Sequence, residues 1–231
     1  MRLKPLLKSL ILAKGRKLRQ LRGGIAAGSF MYLDLQSQLQ RLFGLDEHEI
    51  MNPTRALIGK SETLIDIGAN DGYYTLAFLR SSATSVVACE PGPAVNEMIA
   101  NAKRNGYSVG NRFQIVDTPI GSAEGCISLT EVLRGKVEPI FIKVDVDGAE
   151  LDVLQSAEGC VALMDISWIV EIHSHKLEDG CQNWLRQHGY KTEIIDNAWW
   201  RIFIPELRPP EINRWILATP DGDVGCRSSL R

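Results

Sequence analysis

From Thr63 onward the chain alternates short, unbroken apolar runs with stretches whose apolar residues recur every three or four positions. The runs "TLIDIG", "SVVACEP", "RFQIVD", "PIFIKVDV" and "ISWIVEIH" read as strands. Between and after them, "GYYTLAFLRSS", "AVNEMIANAKRNG", "GAELDVLQSAEGCVAL" and "CQNWLRQHGY" carry helical spacing. Three further runs, "KTEIID", "WRIFI" and "RWILATP", predict C-terminal strands. A strand that is apolar at nearly every position is buried on both faces. Such strands alternating with helices predict a parallel sheet between helical layers.

The first 58 residues have a different rhythm. Leu3, Leu6, Leu7, Leu10, Ile11, Leu18 and Leu21 fall at helical spacing, which predicts an amphipathic helix over residues 3–21. "GGIAAGS" (23–29) breaks it, and residues 31–58 read as helical pieces with a stop at Asn52-Pro53. The expected organisation is a helical extension over 1–58, one α/β domain over 59–219 and a mobile tail over 220–231. A length of 231 residues suits one such domain with a decorated end.

Charge changes this picture at the N-terminus. Residues 1–22 carry eight Lys or Arg and no acid, so a formal net charge of −2 conceals 18 bases against 28 acids in the rest. An acidic body argues against a general nucleic-acid binder. The basic segment suits either a helix resting on an anionic membrane surface or one packed on the core or a partner subunit. Five scattered cysteines without a C-x-x-C fit neither a disulfide framework nor a zinc site. With no apolar run of about 18 residues and no clear cleavage site after the basic start, the expected compartment is the cytoplasm.

The densest chemistry lies where the first strand of the α/β region becomes a helix. "IDIGANDGYYT" places Asp66-x-Gly68-x-Asn70-x-Gly72 at that turn, with a further acid, Asp71. In open α/β sheets ligands bind beyond the carboxyl ends of the strands, and glycines there admit positive φ and close approach of a ligand. The spacing is not the G-x-G-x-x-G dinucleotide fingerprint. An anionic loop is a poor phosphate cradle but suits a ligand with a cationic sulfonium and ammonium, as in S-adenosylmethionine. "ACEPGP" ends the second strand with Glu90, an acid placed to accept ribose hydroxyls, and the third ends in Asp117, within reach of an adenine amino group or simply a turn residue.

"FIKVDVDGAELDVL" holds Asp145, Asp147, Glu150 and Asp152 within eight residues. Asp147 and Glu150 are explained as acids favoured at a helix N-terminus. Asp145 is not, because it stands where the strand opens onto the pocket. "WIVEIHSH" ends the fifth strand with Glu171 and His173, two residues apart and therefore on one side. Trp199 and Trp200 could stack on a sugar or belong to the core.

In this order, "IDIGANDGYYT", "ACEPGP", "IKVDVDGAELDVL" and "IVEIH" resemble the FkbM family of S-adenosylmethionine-dependent methyltransferases, over roughly residues 45–219. The resemblance implies a class I, Rossmann-like methyltransferase fold with a mostly parallel seven-stranded sheet. It implies transfer to a hydroxyl of a sugar, glycan or secondary metabolite. It carries cofactor binding to Asp66, Gly68, Asn70, Gly72 and Glu90, and places Asp145, Glu171 and His173 beside the reacting centre. The family usually has Glu where Asp147 stands, and a longer segment than "TPIGSAEGCISLTEVLRGKVEP" between the third and fourth strands.

The expected division of labour makes His173 the general base, with Glu171 orienting it and Asp145 binding acceptor or substrate ammonium. A divalent metal between Asp145 and Glu171 is a second version, not the expected one. An NAD-dependent oxidoreductase and an inactive nucleoside-binding module remain the competing classes.

Overall fold

In the computed structural model the described residues are 15–202 and 213–222, so residues 3–14 of the predicted amphipathic helix and most of the predicted tail lie outside them. Within the described part, β1 (Lys17–Gln20) and β2 (Phe30–Leu33) form an antiparallel hairpin. Residues 17–20 are thus a strand where a helix was expected. The partner decides: Phe30-Met31-Tyr32-Leu33 buries Met31 and Leu33 and exposes Phe30 and Tyr32, the period-2 pattern of a half-buried strand. Beyond it Leu21 is buried.

Helix α1 (Leu35–Phe43) begins at Asp34, whose side chain accepts from the Gln36 N–H, and ends at Gly44 in the left-handed region. Helix α2 (Met51–Ile58) runs through the expected stop. Pro53 sits in its first turn, where the missing N–H has no intrahelical acceptor to lose.

The main sheet has β3 (Thr63–Ile67), β4 (Ser85–Cys89), β5 (Phe113–Val116), β6 (Ile140–Val144), β7 (Ile166–Ile172), β8 (Tyr190–Ile195) and β9 (Arg214–Pro220) in spatial order β5-β4-β3-β6-β7-β9-β8. The first five neighbours are parallel, and β9 enters antiparallel between β7 and β8. Helices α3 (Tyr73–Leu79), α4 (Ala94–Arg104), α5 (Leu129–Leu133), α6 (Glu150–Gln155) and α7 (His175–Gln187) complete the domain. This is the expected mostly parallel seven-stranded fold. "WRIFI" (200–204) is a correction over its described part, because Trp199–Ile202 is a 3-10 turn instead of a strand, and residues 203–204 lie outside the described residues. Its Arg201 is drawn to Glu49 at 2.7 Å, which fastens the segment to the turn before α2.

All five residues of β3 and of β6 are buried, as the unbroken apolar runs require. Alternate positions feed two cores. Ile65, Ile142, Val144 and Val170 pack under α6 and α7, and Leu64, Phe141 and Ile169 pack toward α3 and the N-terminal extension. Polar residues that share the second parity therefore project beneath the extension.

Among the described residues no helix is long and apolar enough to cross a membrane.

Candidate active site

Beyond the carboxyl ends of β3, β6 and β7 lies a cavity of about 680 Å³, walled on the far side by α1 and the loop after it. That volume is in the range of small-molecule sites. Seven acids (Asp46, Glu47, Asp66, Asp71, Asp145, Asp147, Glu171) line it, with two bases (Arg41, Lys143) and His173.

Sheet register builds its floor. Asp66 on β3 stands directly opposite Lys143 on β6, and both point to the extension's side of the sheet. Lys143 is 2 % exposed. Its Nζ lies 3.0 Å from Asp145 Oδ2 and 3.3 Å from Glu47 Oε2, and 4.4 Å from the centre of the Tyr74 ring. Burial alone would lower the pKa of this ammonium, but Asp145, Glu47, Glu171 and Asp66 together raise it, so it stays charged. Lys143 is not among the site residues expected from the sequence. The available signal was a lone Lys inside a continuous apolar strand, two residues before Asp145 and hence on the same face.

Asp66 itself is 1 % exposed and accepts a 2.6 Å hydrogen bond from Thr75 Oγ1. Burial pushes its carboxyl up to about 6, against the pull of Lys143 and Thr75. Glu47, from the extension, is raised by burial too.

His173 follows β7 directly. Its Nδ1 lies 2.6 Å from Glu150 Oε1, at the start of α6. Glu150 is fully buried, and a carboxylate only accepts, so Nδ1 carries the proton and Nε2 is the nitrogen left for chemistry. Nε2 is 3.7 Å from Glu171 Oε1 and 3.8 Å from Asp147 Oδ1. The hydrogen bond that His173 donates to Glu150 raises the histidine's pKa, with burial opposing it. The group that holds the ring is therefore Glu150, which the sequence reading took for a helix-terminal charge. Glu171, expected in that role, sits on the other side of the ring. Asp145, Glu171 and His173 do come together, with one potential ligand atom of each within 4.8 Å of the others.

The glycine turn is shaped by packing. A Cβ on Gly68 would lie 1.8 Å from the Asp145 backbone oxygen, and one on Gly72 (φ 86°) 2.8 Å from Met98 Cγ. Both have the positive φ expected of them, and they let β3 close on β6 and α3 on α4, with Gly68 also lining the cavity. Asp71 also behaves differently from expectation. It is 1 % exposed and its carboxylate is met by Arg41 Nη1 and Gln38 Nε2, each at 2.7 Å. Its charge is compensated from α1, so the negative charge facing the cavity comes from Asp66 and the strand-end acids instead. Asn70 (φ 49°) presents its backbone N–H to Glu90 Oε2 at 2.8 Å. Glu90 is half-buried, and Asp117 is exposed at the end of β5; neither lines the cavity. Trp199 is exposed and Trp200 packs on His48 and Arg201, also outside the lining.

Residues 124–192 match the family model described as the methyltransferase FkbM domain. The resemblance read from the sequence is borne out by that match. No curated protein matches the chain. Among solved structures it is similar to the ribosomal protein L11 methylase of Lactobacillus delbrueckii subsp. bulgaricus (TM-score 0.52, 14% identity, 75% of this chain and 76% of that one). It is also similar to Trm5b of Pyrococcus abyssi (0.51, 14%, 90% of this chain and 56% of that one). A third is the METTL16 methyltransferase domain (0.50, 16%, 73% and 65%). At these identities the likeness carries the fold, which is the class I methyltransferase fold expected from the sequence.

Proposed function

We propose that this chain, which carries an FkbM methyltransferase domain on the class I methyltransferase fold, transfers a methyl group from S-adenosylmethionine to a hydroxyl of a sugar, glycan or secondary metabolite. The observation that carries the hydroxyl reading is the Glu150–His173 pair at the cavity wall, beside Asp145 and Glu171.

The residues present suit the cofactor. Glu90 is a carboxylate at the β4 end for ribose hydroxyls, and the strand-end acids suit a sulfonium and an ammonium. When bound, S-adenosylmethionine supplies a methyl carbon activated by its sulfonium. The chain's own task is to hold an acceptor hydroxyl and take its proton. Nε2 of His173 faces the carboxylates of Glu171 and Asp147, and Glu150 keeps Nδ1 protonated. The hydroxyl proton moves to Nε2, and the resulting imidazolium is stabilised by Glu150 on one side and Glu171 on the other. Lys143 holds Asp145 in place at the cavity floor.

The same lining disfavours phosphorylated acceptors and nucleic acid, since its seven acids outnumber its two bases. A second reading takes the Asp145, Glu171 and His173 cluster as ligands of a divalent cation that acidifies the acceptor hydroxyl. The Lys143 ammonium on Asp145 favours the base reading, because it supplies positive charge there already.

The test is a methyl-transfer screen over neutral glycans, hydroxylated small metabolites and RNA, with product mass spectrometry and parallel reactions in EDTA. A product methylated on oxygen, at a rate EDTA leaves unchanged, supports the proposal. Methylated RNA would refute the acceptor class, and an EDTA-sensitive rate restored by Mg²⁺ would replace the base with the metal.

A further inference from the structure

The methionine end of S-adenosylmethionine bears a carboxylate as well as an ammonium, and a cavity lined by seven acids is a poor place for it. Among the described residues only two bases belong to the lining. Lys143 is sealed beneath the floor, 2 % exposed and already against two carboxylates. Arg41 is placed otherwise. It comes from the last turn of α1, outside the methyltransferase core, and its side chain is 17% exposed.

Its fork is fixed at two points. Nε meets Asp46 Oδ2 at 2.7 Å and Nη1 meets Asp71 Oδ1 at 2.7 Å, while the guanidinium lies 4.9 Å from the centre of the Tyr73 ring. Among the described residues no carboxylate takes Nη2. A guanidinium fixed in this way keeps a donor edge in a set direction, the geometry that suits a carboxylate. Asp71 belongs to the glycine turn, so Arg41 is held against the loop that faces the cofactor.

Building on the S-adenosylmethionine reading above, we infer that Arg41 is the receptor for the cofactor's carboxylate, supplied by the N-terminal extension. On this assignment Asp46 and Asp71 are positioning residues that aim the guanidinium, and the extension is part of the cofactor site. The bland alternative is a clasp between α1 and the glycine turn with no ligand.

Decarboxylated S-adenosylmethionine separates the two, because it lacks only the carboxylate. It carries one more net positive charge than the cofactor, so an acidic cavity without a receptor would prefer it. Calorimetric titration of wild type with both ligands should instead show the carboxylated one binding about 10- to 100-fold tighter, the range of a charge-assisted hydrogen bond. Arg41→Met should abolish that preference or reverse it, leaving affinity for the decarboxylated ligand within a few-fold. Arg41→Lys should recover part of it.

Equal affinity of wild type for both ligands, or an Arg41→Met variant that weakens both by the same factor, would leave Arg41 as a clasp alone. If Arg41→Met does not fold, an Arg41→Lys protein with undiminished preference overturns the inference, and a reduced preference upholds it. Failure of wild type to bind either ligand would bring down the cofactor reading itself.

Discussion

Replacing Asp66 with Asn should make the protein more stable at neutral pH while weakening its cofactor site. The carboxyl is buried at the centre of the sheet and shielded from water, with Thr75 Oγ1 at 2.6 Å as its hydrogen-bond donor. Burial raises it from an ordinary 3.8 to about 6, even though Lys143 stands opposite. Between those two pH values the folded state retains a proton that the unfolded chain has lost, so stability falls as pH rises through that window. At about 1.36 kcal/mol per pH unit, the loss reaches about 3 kcal/mol once the pH passes the folded value, and is constant above it. Below the unfolded value the carboxyl is neutral in both states and the loss disappears.

Asn at this position cannot ionise, yet its oxygen can still accept from Thr75, and Lys143 retains Asp145 and Glu47. Urea denaturation of both proteins at pH 4, 5, 6 and 7.5 should give similar stabilities at the acid end. The variant should gain up to about 3 kcal/mol over wild type by pH 7.5. A difference that does not vary with pH, or a wild type that is the more stable at pH 7.5, would refute a carboxyl destabilised by burial. Isothermal titration should show the variant binding S-adenosylmethionine more weakly, because a negative charge beneath the cavity has gone.

Glu90→Ala should weaken S-adenosylmethionine binding by roughly 1–3 kcal/mol, the worth of hydrogen bonds to a charged acceptor; unchanged affinity by calorimetry would remove Glu90 from the site. His173→Ala should keep cofactor affinity and lose turnover by on the order of 10²–10⁴. Normal turnover on the identified acceptor would make His173 structural. Glu150→Gln removes the charge that raises the His173 pKa, so the acid limb of the pH–rate profile should move to lower pH, with a lower plateau. A limb that stays in place would show that the limb does not report His173.

What the sequence determined by itself is local and periodic. Unbroken apolar runs require strands buried on both faces, and so the central β3 and β6 were legible, as were helices α3, α4, α6 and α7, whereas the five-residue α5 is too short to show a period and was not expected. The same parity put Glu171 and His173 on one side, and a strand-end position singled out Asp145. Where the pattern was ambiguous, partners decided: Lys17–Gln20 is a strand because Phe30–Leu33 lies beside it, and Trp199–Ile202 turns because Arg201 is fastened to Glu49. Pairings between distant segments were beyond reach. That Glu150 holds the His173 ring depends on how α6 enters beside β7, that Asp66 faces Lys143 depends on sheet register, and that Arg41 neutralises Asp71 depends on where α1 is docked. Periodicity records which face of an element is buried, whereas the partner of a charge is set by the packing of whole elements against each other.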